Sequence, residues 1–379
     1  MSINTRLQRR WKWLVMLLLA GSMTGYAQSE CFEYEDSEET IINGLTANGL
    51  AASSLTIPKE VMTVRSEAFS SSSAQVSVLI IEAGGNPAFE TNLFGGRGNP
   101  LGDIQILGTS MTVANIRALF ASLGAQGALS TVYIEGYSGA WSDIVETSVL
   151  TADVDVRLPA ALVSTQQFGN AKVYGRFTLA KELVTFCGNA TFEETDDSSN
   201  MLFYVADECN KAEGYIHIQR VRYVASGEGV LIHNAKGTST SADLLRYDGA
   251  IPSAQQTLYN SNMFKGVTEP TLIGKTDGDK TNLVLSNGAF HPTSGGTIGA
   301  NKAYLQVPTD ALAAQGMLTI DFSEETGIVE MRNEKGKMRN EKGEMRNGSA
   351  WYTLDGRKLN SKPTTKGLYI INGKKYVIR

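Results

Sequence analysis

The chain is poor in the residues from which metal and catalytic centres are most often built. Three histidines (His217, His233 and His291) and three cysteines (Cys31, Cys187 and Cys209) are scattered along 379 residues. No H-x-x-x-H, C-x-x-C or H-E-x-x-H spacing occurs, which excludes the common zinc patterns. The segments "GYSGA" and "GTSMT" are not the G-x-S-x-G nucleophile elbow. "GGRGNPLG" superficially suggests a phosphate loop, but Pro100 and the place of its third glycine spoil it. "DGDKTN" at Asp277–Asn282 opens like a calcium loop, yet its twelfth position is Gly288 rather than a bidentate glutamate. The acids Glu193, Glu194, Asp196 and Asp197 sit in an Asn/Ser-flanked turn and are expected to be solvated. The sequence therefore offers no catalytic residue, no metal site and no cofactor.

Long apolar runs are equally scarce. The one of note, "LVMLLLAGSMTGYA", follows "MSINTRLQRRWKW", where Arg6, Arg9, Arg10 and Lys12 stand without an acid. Residues 1–27 read as a signal peptide cut before Gln28; the run is too short to span a bilayer. Cys31 lacks the small-residue box that lipid attachment requires, so the mature chain is expected to be exported without a transmembrane segment. Export permits a disulfide, and Cys187 with Cys209 would close a modest loop, leaving Cys31 over.

Basic clusters are missing from the body. Residues 28–330 carry 17 Lys and Arg against 35 Asp and Glu, a net of −18, which argues against nucleic acid as a partner. Residues 331–379 reverse this, with 13 against 4 and a net of +9, and so form a separate object.

What is present is strand-like. "CFEYEDSEETII" alternates Phe32 and Tyr34 with acids, turns, and returns through Thr40–Ile42 as a hairpin. The segments "SLTIP", "VSVLIIEAG", "LGDIQILG", "LSTVYIEG" and "DVDVRLP" then recur. Ile57, Ile80, Ile106, Ile134 and Val156 mark a slightly irregular spacing that falls within the period of leucine-rich repeats, roughly 20–29 residues. Between two of them, "VANIRALFASLGAQGA" keeps helical spacing at Ile116, Leu119, Phe120 and Leu123. Beyond Lys181 the strands shorten and turns multiply, which argues an antiparallel β-sandwich-like module. In "GYIHIQRVRYV" alternation puts Tyr215, His217, Gln219, Val221 and Tyr223 on one face. "MRNEKGKMRNEKGEMRNG" repeats a heptad unit, but one Met and a Gly per heptad give no apolar seam, so it reads as a spacer. The tail ends in "GLYII" and "KKYVI" around Asn372-Gly373, a strong hairpin signal.

Two resemblances attach to these residues. "SLTIPKEVMTVRSEAF" resembles the unit of the BspA-like leucine-rich repeats, with Leu55, Ile57, Pro58, Val61, Val64, Ala68 and Phe69 on the pattern positions; "VRLPAALV" (Val156–Val163) is a poorer copy. The resemblance implies a bacterial surface or secreted protein of the Bacteroidota, of a kind engaged in adhesion. The tail "LDGRKL…KGLYIINGKKYVIR" resembles the C-terminal sorting module of the type IX secretion route. Leu354, Gly356, Arg357, Gly367, Tyr369, Gly373 and Lys374 carry that match. It implies recognition by secretion machinery and removal on surface attachment, although the tail is short, with about three strands.

The expected organisation is a mainly β chain. A signal peptide (1–27) is followed by an irregular leucine-rich-repeat solenoid (28–180) and a β-rich module (181–325). A charged spacer (326–349) and a sorting-like tail (350–379) complete it. In "STVYIEGYSGAW", Tyr133 and Tyr137 point away from Val132 and Ile134. With Trp141 they are the candidate ligand-binding residues, able to stack on sugar or protein. The expected activity is non-catalytic adhesion or ligand capture, with a host protein or glycan as partner. A glycan-active enzyme and a structural envelope protein are the alternatives.

Overall fold

A short strand cannot cover its own apolar face, so a chain of such strands must stack them. The computed structural model describes residues 28–95, 101–124, 128–195, 200–234, 237, 239–312 and 316–322. It also describes the segments Ile328–Glu330, Trp351–Thr353, Lys358–Leu359, Gly367–Ile371 and Lys374–Ile378. The expected signal peptide, the heptad run 331–348 and the tail residues Leu354, Gly356, Arg357 and Gly373 lie outside the described residues. The chain is mainly β and forms two units. One ends at Phe177 and takes in Asp243–Arg246 from far downstream; the other comprises Thr178–Ala242 and the chain from Tyr247 onward.

In the first unit six strands lie side by side in chain order, all parallel. They are β1 (Ser54–Ile57), β2 (Val78–Ile81), β3 (Asp103–Ile106), β4 (Thr131–Ile134), β5 (Asp155–Pro159) and β6 (Lys172–Leu179). The register aligns Ile57, Ile81, Ile106 and Ile134 across the first four. Ile80, taken from the sequence as a marker, is therefore out of phase. It shares the opposite face with Thr56 and Gln105, because side chains alternate with a period of two. The inward residues Leu55, Ile57, Leu79, Ile81, Ile104, Ile106, Val132, Ile134, Val156 and Leu158 are fully buried.

A second, shorter parallel ladder runs alongside. Ile41–Leu45 pairs with Thr63–Val64, which pairs with Ala88–Phe89, and single parallel bridges join Thr112 to Ser138 and Ile144 to Phe168. Val61, Val64, Ala68 and Phe69 are buried along the return from β1. The helix Val113–Leu123 returns from β3; Thr112 Oγ1 accepts the Asn115 N–H at its start, and Ile116, Leu119, Phe120 and Leu123 face inward. Carboxylates tie successive turns together by accepting backbone N–H groups. Glu82 takes Lys59 (3.0 Å), Glu90 takes Ser66 (3.0 Å) and Glu135 takes Gly108 (2.6 Å).

The N-terminal hairpin closes the second ladder, with Phe32 opposite Leu45 and Tyr34 opposite Ile42. Asp36 explains its acid-rich tip: the carboxylate accepts Thr40 Oγ1 at 2.6 Å and the backbone N–H groups of Thr40 and Ile41 at 3.0 Å. These bonds, the Thr40 hydroxyl first, hold its carboxyl below the ordinary range.

The second unit is built differently. Leu183–Phe186, Val230–Asn234, Met201–Asn210 and Tyr215–Val221 form an antiparallel sheet in that order, and Thr319–Asp321 joins Tyr215–Val221 in parallel. A second sheet orders Phe264–Val267, Lys302–Pro308, Lys280–Ser286 and Thr276–Asp277, with Ala289–Pro292 on Lys280–Ser286. Tyr204, Ile216, Ile218 and Leu231 from the first sheet share one buried cluster with Phe264, Leu283, Phe290 and Leu305 from the second. "DGDKTN" is thereby a hairpin, since Asp277 pairs with Lys280 across the Gly278–Asp279 turn. In "GYIHIQRVRYV" Ile216 and Ile218 are buried on one face and Val221 on the other, and past Val221 the chain leaves this sheet to pair Tyr223–Val224 with Phe192–Glu193.

In the tail, Gly367–Ile371 and Lys374–Ile378 pair antiparallel, so Tyr369 and Lys374 lie in a hairpin. Trp351–Thr353 and Lys358–Leu359 extend it on one side, and Ile328–Glu330, within the stretch read as spacer, pairs in parallel on the other.

The expected Cys187–Cys209 disulfide is not formed, and all three cysteines are free thiols. Cys187 follows the strand Leu183–Phe186, whereas Cys209 lies on Met201–Asn210, two strands away across Val230–Asn234. Two strand spacings are about 10 Å, beyond the reach of a disulfide. Burial pushes the Cys187 thiol up to about 11.

Gly49 gives a test of packing against propensity. It lies in the short helix Ala47–Ala51, where alanine is intrinsically the better former by about 1 kcal/mol. A Cβ there would stand 2.0 Å from the Cys31 carbonyl oxygen. Gly49→Ala is expected to destabilise the chain by about 2–3 kcal/mol in urea unfolding, and a stabilised variant would refute this packing.

Candidate functional site

The outward face of the parallel sheet carries a straight row in register: Thr56, Ile80, Gln105, Tyr133, Arg157 and Tyr174. All six are half-buried. Five strand spacings give the row a length of about 24 Å. Its first half is small or neutral, and its second half concentrates charge and aromatic surface.

Asp243 organises that second half. Its carboxylate accepts Arg176 Nε at 2.8 Å and Arg176 Nη2 at 3.0 Å, a two-point grip, and its Oδ2 also lies 3.0 Å from Arg157 Nε. Arg157 reaches on to Asp155 (Nη2 to Oδ2, 3.1 Å) and Thr131 Oγ1 (3.4 Å). The guanidinium carbon of Arg176 sits 5.0 Å from the Tyr133 ring centre and that of Arg157 sits 5.7 Å from the Tyr174 ring. Planar cations over aromatic faces are attracted by the ring quadrupole, so the stack is held by charge and by contact together.

Burial sets the protonation of this group. Burial acts to lower the Arg176 pKa, but the Asp243 hydrogen bonds and charge outweigh it, so Arg176 is raised and stays charged. Burial raises the Tyr133 and Tyr174 hydroxyls, keeping both rings neutral. Both oxygens of Asp243 and Oδ2 of Asp155 accept from guanidinium groups. The arrangement is therefore a surface of neutral net charge, with two cations, two anions and two aromatic rings.

The three residues singled out from the sequence do not share this surface. Tyr133 belongs to it, but β4 ends at Ile134, and strand alternation cannot be carried on to Tyr137. Gly136 is buried where a Cβ would meet the Thr109 side chain at 2.5 Å. Tyr137 and Trp141 instead pack on one another (4.9 Å between ring centres), and Trp141 packs on Phe168 (4.8 Å). Gln166 Nε2 donates to the Tyr137 hydroxyl at 3.4 Å. Tyr137 and Trp141 are half-buried and Phe168 is buried, so this is a separate aromatic cluster of the first unit.

Arg157, Tyr174, Arg176 and Asp243 were not singled out from the sequence. For three of them the signal existed: alternation in "DVDVRLP" and "KVYGRFTL" places Arg157, Tyr174 and Arg176 on one face. Asp243 had no local signal, because it lies 67 residues from Arg176 in the chain.

In the second unit a bulge makes a smaller polar group. Ala206 pairs with Ile218 and Glu208 with His217, so Asp207 is extra in its strand. Its carboxylate meets His217 Nδ1 at 2.7 Å and also accepts Gln219 Nε2. Glu193 accepts the Tyr223 hydroxyl at 2.8 Å and Glu194 accepts Arg220 Nη2 at 2.6 Å. Among the described residues, no group of three His, Cys, Asp or Glu side chains is placed to hold a metal ion.

Asp243→Asn keeps the shape of the clasp and removes the charge shared by two guanidinium groups. It is expected to cost about 2 kcal/mol, against a smaller loss for Asp155→Asn, which serves Arg157 alone. Equal losses in urea unfolding would remove Asp243 from its central position. No family model, curated protein or solved structure matches the chain, so the reading of this face rests on its own chemistry.

Proposed function

We propose that this is an exported, surface-associated binding protein that captures an extended ligand, a host protein segment or a glycan, without catalysis. In this reading the parallel ladder is an irregular leucine-rich-repeat solenoid of the BspA-like kind, and its outward sheet face is the ligand surface. The observation that carries the proposal is the in-register row ending in Tyr133, Arg157 and Tyr174, locked by Asp243. Binding sites on regular elements lose little freedom when a ligand arrives, and stacked Tyr and Arg are the residue types that most often dominate recognition. The two carboxylates of the group engage guanidinium groups, an arrangement suited to holding rings and cations in place. The tail, with Tyr369 and Lys374 in a terminal hairpin, would serve as the sorting signal for secretion.

Two measurements test this. The full chain should bind immobilised matrix proteins or glycans. Tyr174→Ala should weaken that binding at least tenfold with the melting temperature little changed; unchanged binding, or turnover of the glycan, would overturn the proposal. The intact mass of protein recovered from its native cell surface should show Gln28 as the first residue and loss of the segment after Gly348. A chain running on to Arg379 would make the terminal hairpin part of the mature fold.

A further inference from the structure

The second unit holds an aromatic corner that the proposed ligand surface does not use. Tyr223 and Tyr247 meet edge to face, with ring centres 4.9 Å apart and planes at 64°. Both rings are half-buried, and their hydroxyls are anchored: Tyr223 donates to Glu193 at 2.8 Å, and Tyr247 donates to the Ala250 carbonyl at 3.2 Å.

The corner is supported from behind by several elements. Phe192–Glu193 pairs antiparallel with Tyr223–Val224, which puts Glu193 directly across from Tyr223. The Tyr247 N–H donates to the Thr191 carbonyl at 2.8 Å, fixing the second ring to the same strand. From the helix Ser253–Asn260, buried Tyr259 donates its hydroxyl to the Tyr223 carbonyl and accepts the Ala225 N–H at 3.2 Å. Gln255 on the same helix accepts the Arg222 N–H at 2.7 Å. The backbone on both sides of Tyr223 is thus held by named partners, and the rings are set before any ligand arrives.

We propose that the Tyr223–Tyr247 corner is a binding site for a neutral saccharide. Two rings at a steep angle offer one face and one edge to the C–H surface of a sugar ring. The charged groups around them decide the ligand class. Glu193 lies at the corner and would repel an anion; Arg222, exposed beside Tyr223, would repel a cation. A polyol both donates and accepts hydrogen bonds, so a carboxylate at the corner and a guanidinium near it each find a partner on it.

The experiment is titration of the full chain with a panel of neutral hexose and N-acetylhexosamine oligosaccharides, with choline and a sulfated oligosaccharide as charged probes. Binding of at least one neutral oligosaccharide is expected, weakened at least tenfold by Tyr247→Ala and several-fold by Glu193→Gln. Glu193→Gln keeps size and fold, so it retains the test if Tyr247→Ala fails to fold. Tyr174→Ala, on the other unit, should leave this binding unchanged, which separates it from the ligand surface proposed above. Absence of any neutral ligand, preference for choline or the sulfated probe, or full binding by Glu193→Gln and Tyr247→Ala would overturn the proposal.

Discussion

Everything in the first unit depends on the in-register burial of two columns of aliphatic side chains. Each strand brings two of them, as Leu55 and Ile57 do in β1, and neither is covered until the neighbouring strand supplies Leu79 and Ile81. Burying a side chain of this size is worth about 1.5–3 kcal/mol, but only within the stack. Register is therefore not free to slip: a shift by one residue would put Thr56 and Ile80 inside and Ile57 out. The second ladder and the carboxylate-to-backbone bonds follow from this alignment, since Glu82 can reach the Lys59 N–H only when the turns are in phase.

The outward row is the other side of the same constraint. Once alternate residues are committed to the interior, those between them form a line that the register keeps straight. The first half of that line is ordinary in chemistry. At Tyr133, Arg157 and Tyr174, with Arg176 beside them, it is not, and Asp243 completes the group from a distant part of the chain. The same logic works in smaller form at the Asp207 bulge, where one extra residue in a strand presents a carboxylate to His217 and Gln219.

Much of this architecture was legible in the sequence, because it is written in periodicity. The recurring strands, the helix carrying Ile116–Leu123 and the N-terminal hairpin all follow local patterns. Phase was harder to read. In "VSVLIIEAG" consecutive aliphatics offer no alternation, so the spacing alone marks Ile80 where the register aligns Ile81 with Ile57. Tyr133 follows from its alternation with Val132 and Ile134, whereas Tyr137 lies past the end of that strand, where alternation no longer says which way it points. The cysteine pairing failed because loop length says nothing about which strand lies between two positions. Asp243 and the Tyr223–Tyr247 corner are products of tertiary structure, and no window of sequence contains them.

The ladder's steps are unequal in one place. In register, Asp103 is followed by Thr131 and Thr131 by Asp155, each a long excursion of chain, but Asp155 is followed by Lys172 after a much shorter one. That last step leaves no room for a long return, and the Asp243 clasp sits on the strand it delivers. The opposite end of the unit is occupied by the hairpin at Phe32–Tyr34. Both ends are thus terminated by structures unlike the interior turns. A whole turn added between the hairpin and β4 would widen the sheet by one strand spacing, about 4.8 Å, and leave the charged end of the row intact.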